Sequence, residues 1–257
     1  MYRRNFVGAA GALAAGSASS QAAQKPAILE MRYIRMRNGN QVQRTTDFLG
    51  KAALPAMQKA GIERAGFFSA VIGEQSPFVL IVTSYPSFAD LERMQGKLFT
   101  DKAFVEAWDE YNTMDELPFI RVENSLLRGF DTMPDIEIPT TEGNKASRIF
   151  ELRTYQSNNF KAGLRKVRMF DNGEIGIFRR LGMRPVFFGQ TIVGRDIPNL
   201  TYMLAFDDLA HRERAWRAFG SDPEWQKLRA TPGLSDAEIV SNISSAILRP
   251  LPFSPIR

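Results

Sequence analysis

One fixed spacing relates the two halves of this sequence. The stretch ILEMRYI begins at Ile28, and the similar stretch IFELRTY begins at Ile149, 121 positions later. The same offset links eight pairs of identical or similar residues, which are Glu30 and Glu151, Arg32 and Arg153, Gly61 and Gly182, Pro77 and Pro198, Arg93 and Arg214, Asp101 and Asp222, Phe104 and Trp225, and Arg128 and Arg249. Because chance matches would not hold one register over this length, the chain is predicted to contain two copies of one structural unit.

Each copy alternates strand-like and helix-like segments. The predicted halves span residues 27–130 and 147–252, and residues 131–146, which are rich in Pro, Gly, Thr and acidic side chains, are predicted to form a linker. Each half follows the order β-α-β-β-α-β, which is that of the ferredoxin-like unit. The predicted fold class is α+β, with two tandem ferredoxin-like repeats packed sheet to sheet as a pseudo-dimeric α+β barrel.

The first helix of each half contains a residue that weakens helices. Pro55 and Gly176 occupy matching positions at the 121-residue offset. Proline removes a backbone hydrogen bond, and glycine increases the conformational entropy lost on helix formation. We therefore expect this helix to be kinked or split in both halves.

The repeated first strand carries the candidate site residues. Side chains two positions apart on a strand share a face, so Glu30 and Arg32 point to one side of the sheet, and Glu151, Arg153 and Tyr155 do the same in the second copy. The opposite face of each strand is apolar, and we expect it to pack against the helices. The Glu/Arg faces should then look away from the helices and line a cleft between the two sheets.

These five residues allow two interpretations. Glu30, Arg32, Glu151 and Arg153 could bind a polar ligand, or they could form a structural salt-bridge lattice on a partly buried face. Tyr155 could donate a proton or stack on a ligand, or it could form a hydrogen bond at the rim of the barrel. No residue is predicted to be catalytic on this pattern alone.

Composition excludes several classes of site. The chain has no cysteine, which removes disulfides, thiolate nucleophiles and cysteine-bound metals. Its one histidine, His211, is expected in the exposed first turn of a charged helix, which argues against a Ser-His-Asp triad and a histidine-rich metal site. No metal site is predicted.

Charge and aromatic residues add three further expectations. The formal charge of +5 is modest, so no nucleic-acid partner is predicted, and the basic stretch KAGLRKVR is expected to be a solvated helix face. Trp108 and Trp225 are expected to be core residues. In SDPEW, Ser221 or Asp222 can cap a helix that has Pro223 in its first turn.

Several short segments resemble the NIPSNAP family. They are FELRTY, the Gly182 that follows a helix, the aromatic strand VFFGQTIVG, and AFGSDPEW, and the second half is the better match. The resemblance covers essentially the whole chain after the first two dozen residues, as two tandem domains, and it implies the dimeric α+β barrel fold. Relatives of this fold include cofactor-free monooxygenases, haem-degrading enzymes and chlorite dismutases, so the fold does not decide the activity. Haem enzymes of this fold generally use a histidine ligand, so haem is disfavoured and no cofactor is predicted.

Three functions therefore stay open. The barrel could bind an unidentified small ligand or a protein partner without chemistry. It could instead be a cofactor-independent oxygenase or isomerase, with Tyr155 or a carboxylate as acid or base and Arg32 or Arg153 holding an anionic intermediate. It could also be a purely structural interaction module. The chain is expected to form an intramolecular pseudo-dimer, and a homo-oligomer is possible.

The first two dozen residues have the pattern of an export signal. Residues 1–24 combine a short basic start, a weakly apolar Ala/Gly/Leu run and small residues near the end, which is typical of a signal peptide. The apolar run is too short for a membrane span, so no span is expected after signal removal. Arg3 and Arg4 followed by Asn5 and Phe6 are similar to the twin-arginine signal. The protein is therefore expected to be exported by the twin-arginine route and to be periplasmic or extracellular.

Replacing both Arg3 and Arg4 by lysine should block export of the folded protein without reducing its synthesis. The twin-arginine signal is read by a receptor that recognises the arginine pair, and lysine does not reproduce the guanidinium fork. Cell fractionation followed by immunoblotting measures the exported share. Unchanged export of the double variant would assign the protein to another route.

Overall fold

The eight strands of the chain close into one antiparallel barrel. The computed structural model describes residues 24–139 and 148–257. Residues 1–23 of the predicted signal peptide, residues 140–146 of the predicted linker and residue 147, the first of the predicted second half, lie outside the described residues. The strands are β1 (Ile28–Arg35), β2 (Ala65–Ile72), β3 (Phe78–Tyr85), β4 (Arg121–Gly129), β5 (Ile149–Gln156), β6 (Arg184–Val193), β7 (Asn199–Phe206) and β8 (Asn242–Pro250). Around the barrel their order is β1-β3-β2-β8-β5-β7-β6-β4.

Each half contributes four neighbouring strands in the ferredoxin-like order. The first half runs β4-β1-β3-β2 and the second β8-β5-β7-β6. Hydrogen-bonded pairing of β2 with β8 and of β4 with β6 joins the two sheets at both edges. Closure leaves no exposed sheet edge in the barrel. The predicted fold class, two ferredoxin-like repeats forming an α+β barrel, is confirmed.

The helices repeat as regularly as the strands. They are α1 (Asn40–Phe48), α2 (Leu54–Ala60), α3 (Phe88–Leu98) and α4 (Lys102–Tyr111) in the first half, and α5 (Phe160–Met169), α6 (Ile175–Arg180), α7 (Leu209–Ser221), α8 (Pro223–Arg229) and α9 (Asp236–Ile239) in the second. As predicted, Asp222 caps α8 and Pro223 lies in its first turn. In the part of the chain that the structure describes, no helix combines the length and apolarity needed to cross a bilayer.

The first helix of each half is interrupted, as predicted. A π-helical turn separates α1 from α2 at Leu49–Ala53, and another separates α5 from α6 at Phe170–Glu174. A π turn inserts one extra residue and so rotates the faces of the helix that follows it. Because the second turn forms without a proline, Pro55 is compatible with the interruption but is not needed for it.

The barrel interior is apolar, and the predicted polar cleft between the sheets is wrong. One buried cluster draws side chains from all eight strands, including Leu29 and Met31 of β1 and Phe150 and Leu152 of β5. The faces predicted to meet the helices therefore point into the barrel. The reason is that a closed, helix-covered sheet is buried on both sides, so alternation shows which residues share a face without showing which face meets the helices.

Two further apolar cores lie between the barrel and the helices, one in each half. Trp225 belongs to the second of these cores and is buried, as predicted. Trp108 is 39% exposed, so its predicted place in the core is wrong.

The basic stretch in α5 is only partly the solvated face that was predicted. Lys161, Arg165 and Arg168 are exposed, but Lys166 is 1% exposed. Its Nζ lies 3.2 Å from Oε2 of Glu174, in the π turn, and 3.4 Å from Oδ1 of Asp236. Burial raises the pKa of the Glu174 carboxyl to about 6. The extra residue of the π turn thus brings a carboxylate to a lysine that would otherwise have no buried partner.

Lys166→Met should reduce the free energy of unfolding at pH 7 by about 3–5 kcal/mol, because it leaves Glu174 buried and charged without its partner. The loss should be smaller at pH 5, where an acid with a raised pKa in the folded state takes up a proton and no longer carries a buried charge. Urea denaturation at pH 7 and pH 5 measures the loss in the free energy of unfolding. Lys161→Met, on the exposed face, should change stability by less than about 0.5 kcal/mol.

The double variant Lys166→Met with Glu174→Leu removes both charges and should recover most of the lost stability. A double variant as unstable as the single one would show that the loss comes from packing instead of the uncompensated charge.

Candidate functional site

The two Glu/Arg pairs lie on the outer face of the barrel, beneath the helices. Glu30 and Arg32 of β1 face the first-half helices, and Glu151 and Arg153 of β5 face α7. The two pairs therefore lie in separate halves of the barrel, each under the helices of its own half. The two copies of the repeat place them in equivalent positions with different surroundings.

The second-half glutamate is fully enclosed by protein, and the Arg153 side chain is 17% exposed. Glu151 has no exposed surface, and its Oε1 accepts hydrogen bonds from Nη1 of Arg153 at 3.0 Å and Nη2 of Arg212 at 2.6 Å. Its Oε2 accepts from Nε of Arg212 at 2.8 Å and from the indole Nε1 of Trp216 at 2.6 Å. The Arg153 guanidinium lies 4.6 Å from the centre of the Trp216 ring. This arrangement matches the lattice interpretation of Glu151 and Arg153.

Tyr155 also lies in this packed core and not at the barrel rim. Its hydroxyl is 3.0 Å from that of Tyr202, and both rings pack against Phe170. Burial raises the pKa of Tyr155 above its usual value. In the structure, Tyr155 is thus a buried, hydrogen-bonded phenol surrounded by aromatic rings.

The first-half pair lies beside a cavity. Glu30 Oε1 accepts a hydrogen bond from Nη2 of Arg32 at 2.7 Å, and Oε2 accepts from the Tyr85 hydroxyl at 3.1 Å, the Gln95 amide at 3.0 Å and the Thr83 hydroxyl at 3.4 Å. All five side chains line a cavity of about 280 Å³ between the sheet and the helices, which we call the first-half cavity. Glu30 itself is buried, whereas the Arg32 side chain is 36% exposed.

The other walls of the first-half cavity are mainly apolar. Aliphatic side chains of β1, β3, the first π turn and α2 form one side, and aromatic side chains form much of the rest, namely Phe48, Phe99, Phe104, Trp108, Tyr111 and Phe119. Phe99 is 56% exposed and Trp108 39% exposed, and their ring centres lie 5.7 Å apart. These two rings form an aromatic edge between the cavity and solvent. Trp108 was expected in the core, and its position at this edge explains why it is exposed.

The two copies of the repeat differ at positions that line the first-half cavity. At five lining positions the second copy has a larger side chain at the 121-residue offset: Tyr155 for Ile34, Phe170 for Leu49, Phe178 for Met57, Tyr202 for Ile81 and Trp216 for Gln95. The offset is structurally exact, since β1 and β5, β3 and β7, and the two π turns all begin 121 residues apart. The larger side chains pack together in the second-half core.

The histidine is remote from the first-half cavity. His211 lies in the first turn of α7, as predicted, but it is half-buried rather than exposed. Its Nδ1 accepts a hydrogen bond from the Asp207 backbone N–H at 3.2 Å, and its ring packs against Phe206. Within residues 24–139 and 148–257, no three acidic or histidine side chains come together in a group that could hold a metal ion.

Sequence reasoning found Glu30 and Arg32 but missed the rest of the cavity wall. Gln95 and Tyr85 lie on α3 and β3, far from Glu30 along the chain, and nothing in their local pattern indicates contact with it. The sequence did contain one signal, which is the difference in side-chain size between the two copies at positions 121 residues apart. That signal becomes meaningful once the faces of the strands are known.

Arg153→Ala should lower the free energy of unfolding by about 2–3 kcal/mol, because it removes a charged hydrogen-bond donor from a carboxylate with no exposed surface. Arg32→Ala should cost about 1 kcal/mol or less, since its side chain is partly solvated. Urea denaturation of both variants gives the comparison, with His211→Ala as a variant away from both carboxylates. Equal losses for Arg153→Ala and Arg32→Ala would contradict the difference in enclosure.

Solved structures with this architecture cover nearly the whole chain. A candidate monooxygenase from Fusobacterium nucleatum is 11% identical, with a TM-score of 0.57, over 88% of this chain and 93% of that chain. An anthrone oxidase-like protein is 12% identical, with a TM-score of 0.54, over 89% and 93%. At these identities the likeness shows the shared fold alone.

Shorter proteins match one half. A NIPSNAP-like domain protein from Burkholderia xenovorans is 23% identical over 42% of this chain and 89% of its own, with a TM-score of 0.38. No curated protein sequence matches the chain. The NIPSNAP family model matches residues 29–128 and again residues 150–255, which together are most of the chain. The protein therefore belongs to the NIPSNAP family and contains two copies of its domain.

Proposed function

We propose that this NIPSNAP protein binds a small, mostly apolar molecule in the first-half cavity. One observation carries the proposal: at five positions that line the first-half cavity, the second copy has a larger side chain that packs in its own core. Protein interiors are close-packed, and voids forfeit dispersion contacts. A domain with no function beyond its own stability would gain dispersion contacts if larger side chains filled this space in both copies. Retention of the cavity beside a hydrogen-bonding cluster is the arrangement of a binding site.

The walls define the kind of molecule that fits. Aliphatic and aromatic side chains surround most of the space, so the body of the ligand is apolar. Glu30, Arg32 and Gln95 form a polar end, where one polar group of the ligand can form hydrogen bonds. Such a combination of apolar walls and a few polar groups fixes the orientation of a ligand. The volume, about 280 Å³, suits a small molecule and not a peptide segment.

Cofactor-independent oxygenase or isomerase chemistry in the same cavity is the second candidate. A carboxylate at the end of an apolar cavity can accept a proton from a bound substrate, and Arg32 beside it can stabilise the resulting anion. Two proteins of the same fold are described as a monooxygenase candidate and as anthrone oxidase-like. Tyr155 and Arg153 lie in the packed second-half core, which leaves Glu30 and Arg32 for this role. Because four side chains already donate to Glu30, binding is the function that the geometry supports better.

Titration with Prodan, a neutral fluorescent naphthalene without N–H or O–H groups, tests the binding proposal. The wild-type protein should bind it with a blue-shifted emission. Ile81→Tyr and Met57→Phe, which transfer second-copy residues into the first copy, should each weaken binding about tenfold or more, because they fill space that the probe needs. Circular dichroism melts should show that both variants stay folded.

Val71→Tyr is the matched control. Val71 is exposed and lies outside the cavity lining, so the added aromatic ring should leave the affinity for Prodan unchanged. Absence of binding to the wild-type protein, or equal binding by all variants, would contradict the proposal. Oxygen uptake or product formation during turnover of a bound substrate would instead favour the second candidate.

A further inference from the structure

The filled second copy shows how an aromatic donor fits against the repeated glutamate. Gln95 and Trp216 occupy the same position of the repeat, and both donate to the equivalent carboxylate oxygen. The Gln95 amide donates to Glu30 Oε2 at 3.0 Å, and the Trp216 indole donates to Glu151 Oε2 at 2.6 Å. The second half thus uses a planar aromatic N–H donor where the first half has a shorter amide next to a cavity. The indole ring fills volume that the glutamine leaves open.

The arginine of each pair also differs in its aromatic contacts. Arg153 lies 4.6 Å from the centre of the Trp216 ring and 5.4 Å from that of Tyr155. Its counterpart Arg32 lines the first-half cavity, and no described aromatic ring lies over its guanidinium. A guanidinium over an aromatic face is attracted by the ring quadrupole, more strongly when the pair is shielded from water. Arg32, whose Nε donates to Asn124 Oδ1 at 3.1 Å, therefore lines the cavity without the aromatic contacts that Arg153 makes within the protein.

The carboxylate oxygens differ in the number of donors that they have. Oε1 of Glu151 accepts from both Arg153 and Arg212, whereas Oε1 of Glu30 accepts from Arg32 alone among the described residues. The first-half counterpart of Arg212 is Leu91, which has no side-chain donor. A carboxylate oxygen can accept two hydrogen bonds. Glu30 Oε1 therefore retains the capacity to accept one donor from a molecule in the cavity.

From these three differences we propose that the first-half cavity binds a planar aromatic molecule that carries an N–H or O–H group, of the indole or phenol class. The ring lies against Arg32, and the N–H or O–H donates to Glu30 Oε1. The proposal rests on the proposed binding function and adds the chemical class of the ligand. A purely aliphatic molecule would satisfy the apolar walls but neither Arg32 nor Glu30.

Displacement of Prodan by two isomers, 3-methylindole and 1-methylindole, tests the ligand class. They have the same size and ring system, but only 3-methylindole has an N–H group. The wild-type protein should bind 3-methylindole roughly tenfold or more tightly than 1-methylindole, because a hydrogen bond to a charged acceptor is among the stronger ones in proteins. Equal affinities for the two isomers, with Prodan binding intact, would overturn the ligand class and leave the binding proposal standing.

Two variants separate the contributions of the two side chains. Glu30→Met, which keeps the length of the side chain and removes the acceptor, should reduce the ratio of the two affinities to about one. Arg32→Met should weaken the binding of 1-methylindole, which has no N–H group, because it removes the cation–ring contact. The affinity ratio should stay at least as large as in the wild type, because the variant also removes the hydrogen bond that Arg32 donates to Glu30 Oε1. A ratio that persists in Glu30→Met, or affinities unchanged in Arg32→Met, would contradict the assigned contact. If Glu30→Met does not fold, the wild-type ratio and Arg32→Met still decide the two parts of the proposal.

Discussion

Hydrogen bonding between the edges of the two half-sheets determines where a site can form in this protein. Pairing of β2 with β8 and of β4 with β6 closes the barrel and buries one face of all eight strands in a shared apolar interior. The other face of each sheet is covered by helices of its own half. Polar groups on the strands must therefore be satisfied under a helix layer or near an end of the barrel. Glu30 and Glu151 both lie under a helix layer, and each accepts hydrogen bonds from its own set of donors.

The two halves share one backbone fold and differ in the side chains that pack between the sheet and the helices. Most strands and both π turns repeat at the same offset, as does the carboxylate on the first strand. The second copy adds aromatic volume, a second arginine on its glutamate and the buried ion pair of Lys166 with Glu174. These additions make it a more completely packed unit. The first copy instead retains smaller side chains, an open aromatic edge and a partly solvated arginine.

The sequence was informative about the order of the strands and helices. It was much less informative about which face of each strand meets the helices. A constant offset, alternation and turn residues were sufficient for the β-α-β-β-α-β units, the barrel and the interrupted helix. The side of the sheet that Glu30 and Glu151 occupy could not be predicted, because both sides of a closed, covered sheet are buried and either can accept an apolar stripe. Lys166 was missed for a related reason: its partner Glu174 is brought to it by an irregular helical turn that helical periodicity does not describe.

The covalent link between the halves has a consequence for stoichiometry. A barrel assembled from two identical chains would have two identical cavities by symmetry, and binding at one could influence the other. In this chain the symmetry is only approximate, and the second cavity is occupied by the protein's own side chains. The proposed site therefore occurs once in each molecule, and the proposal implies a hyperbolic binding isotherm without cooperativity between the halves.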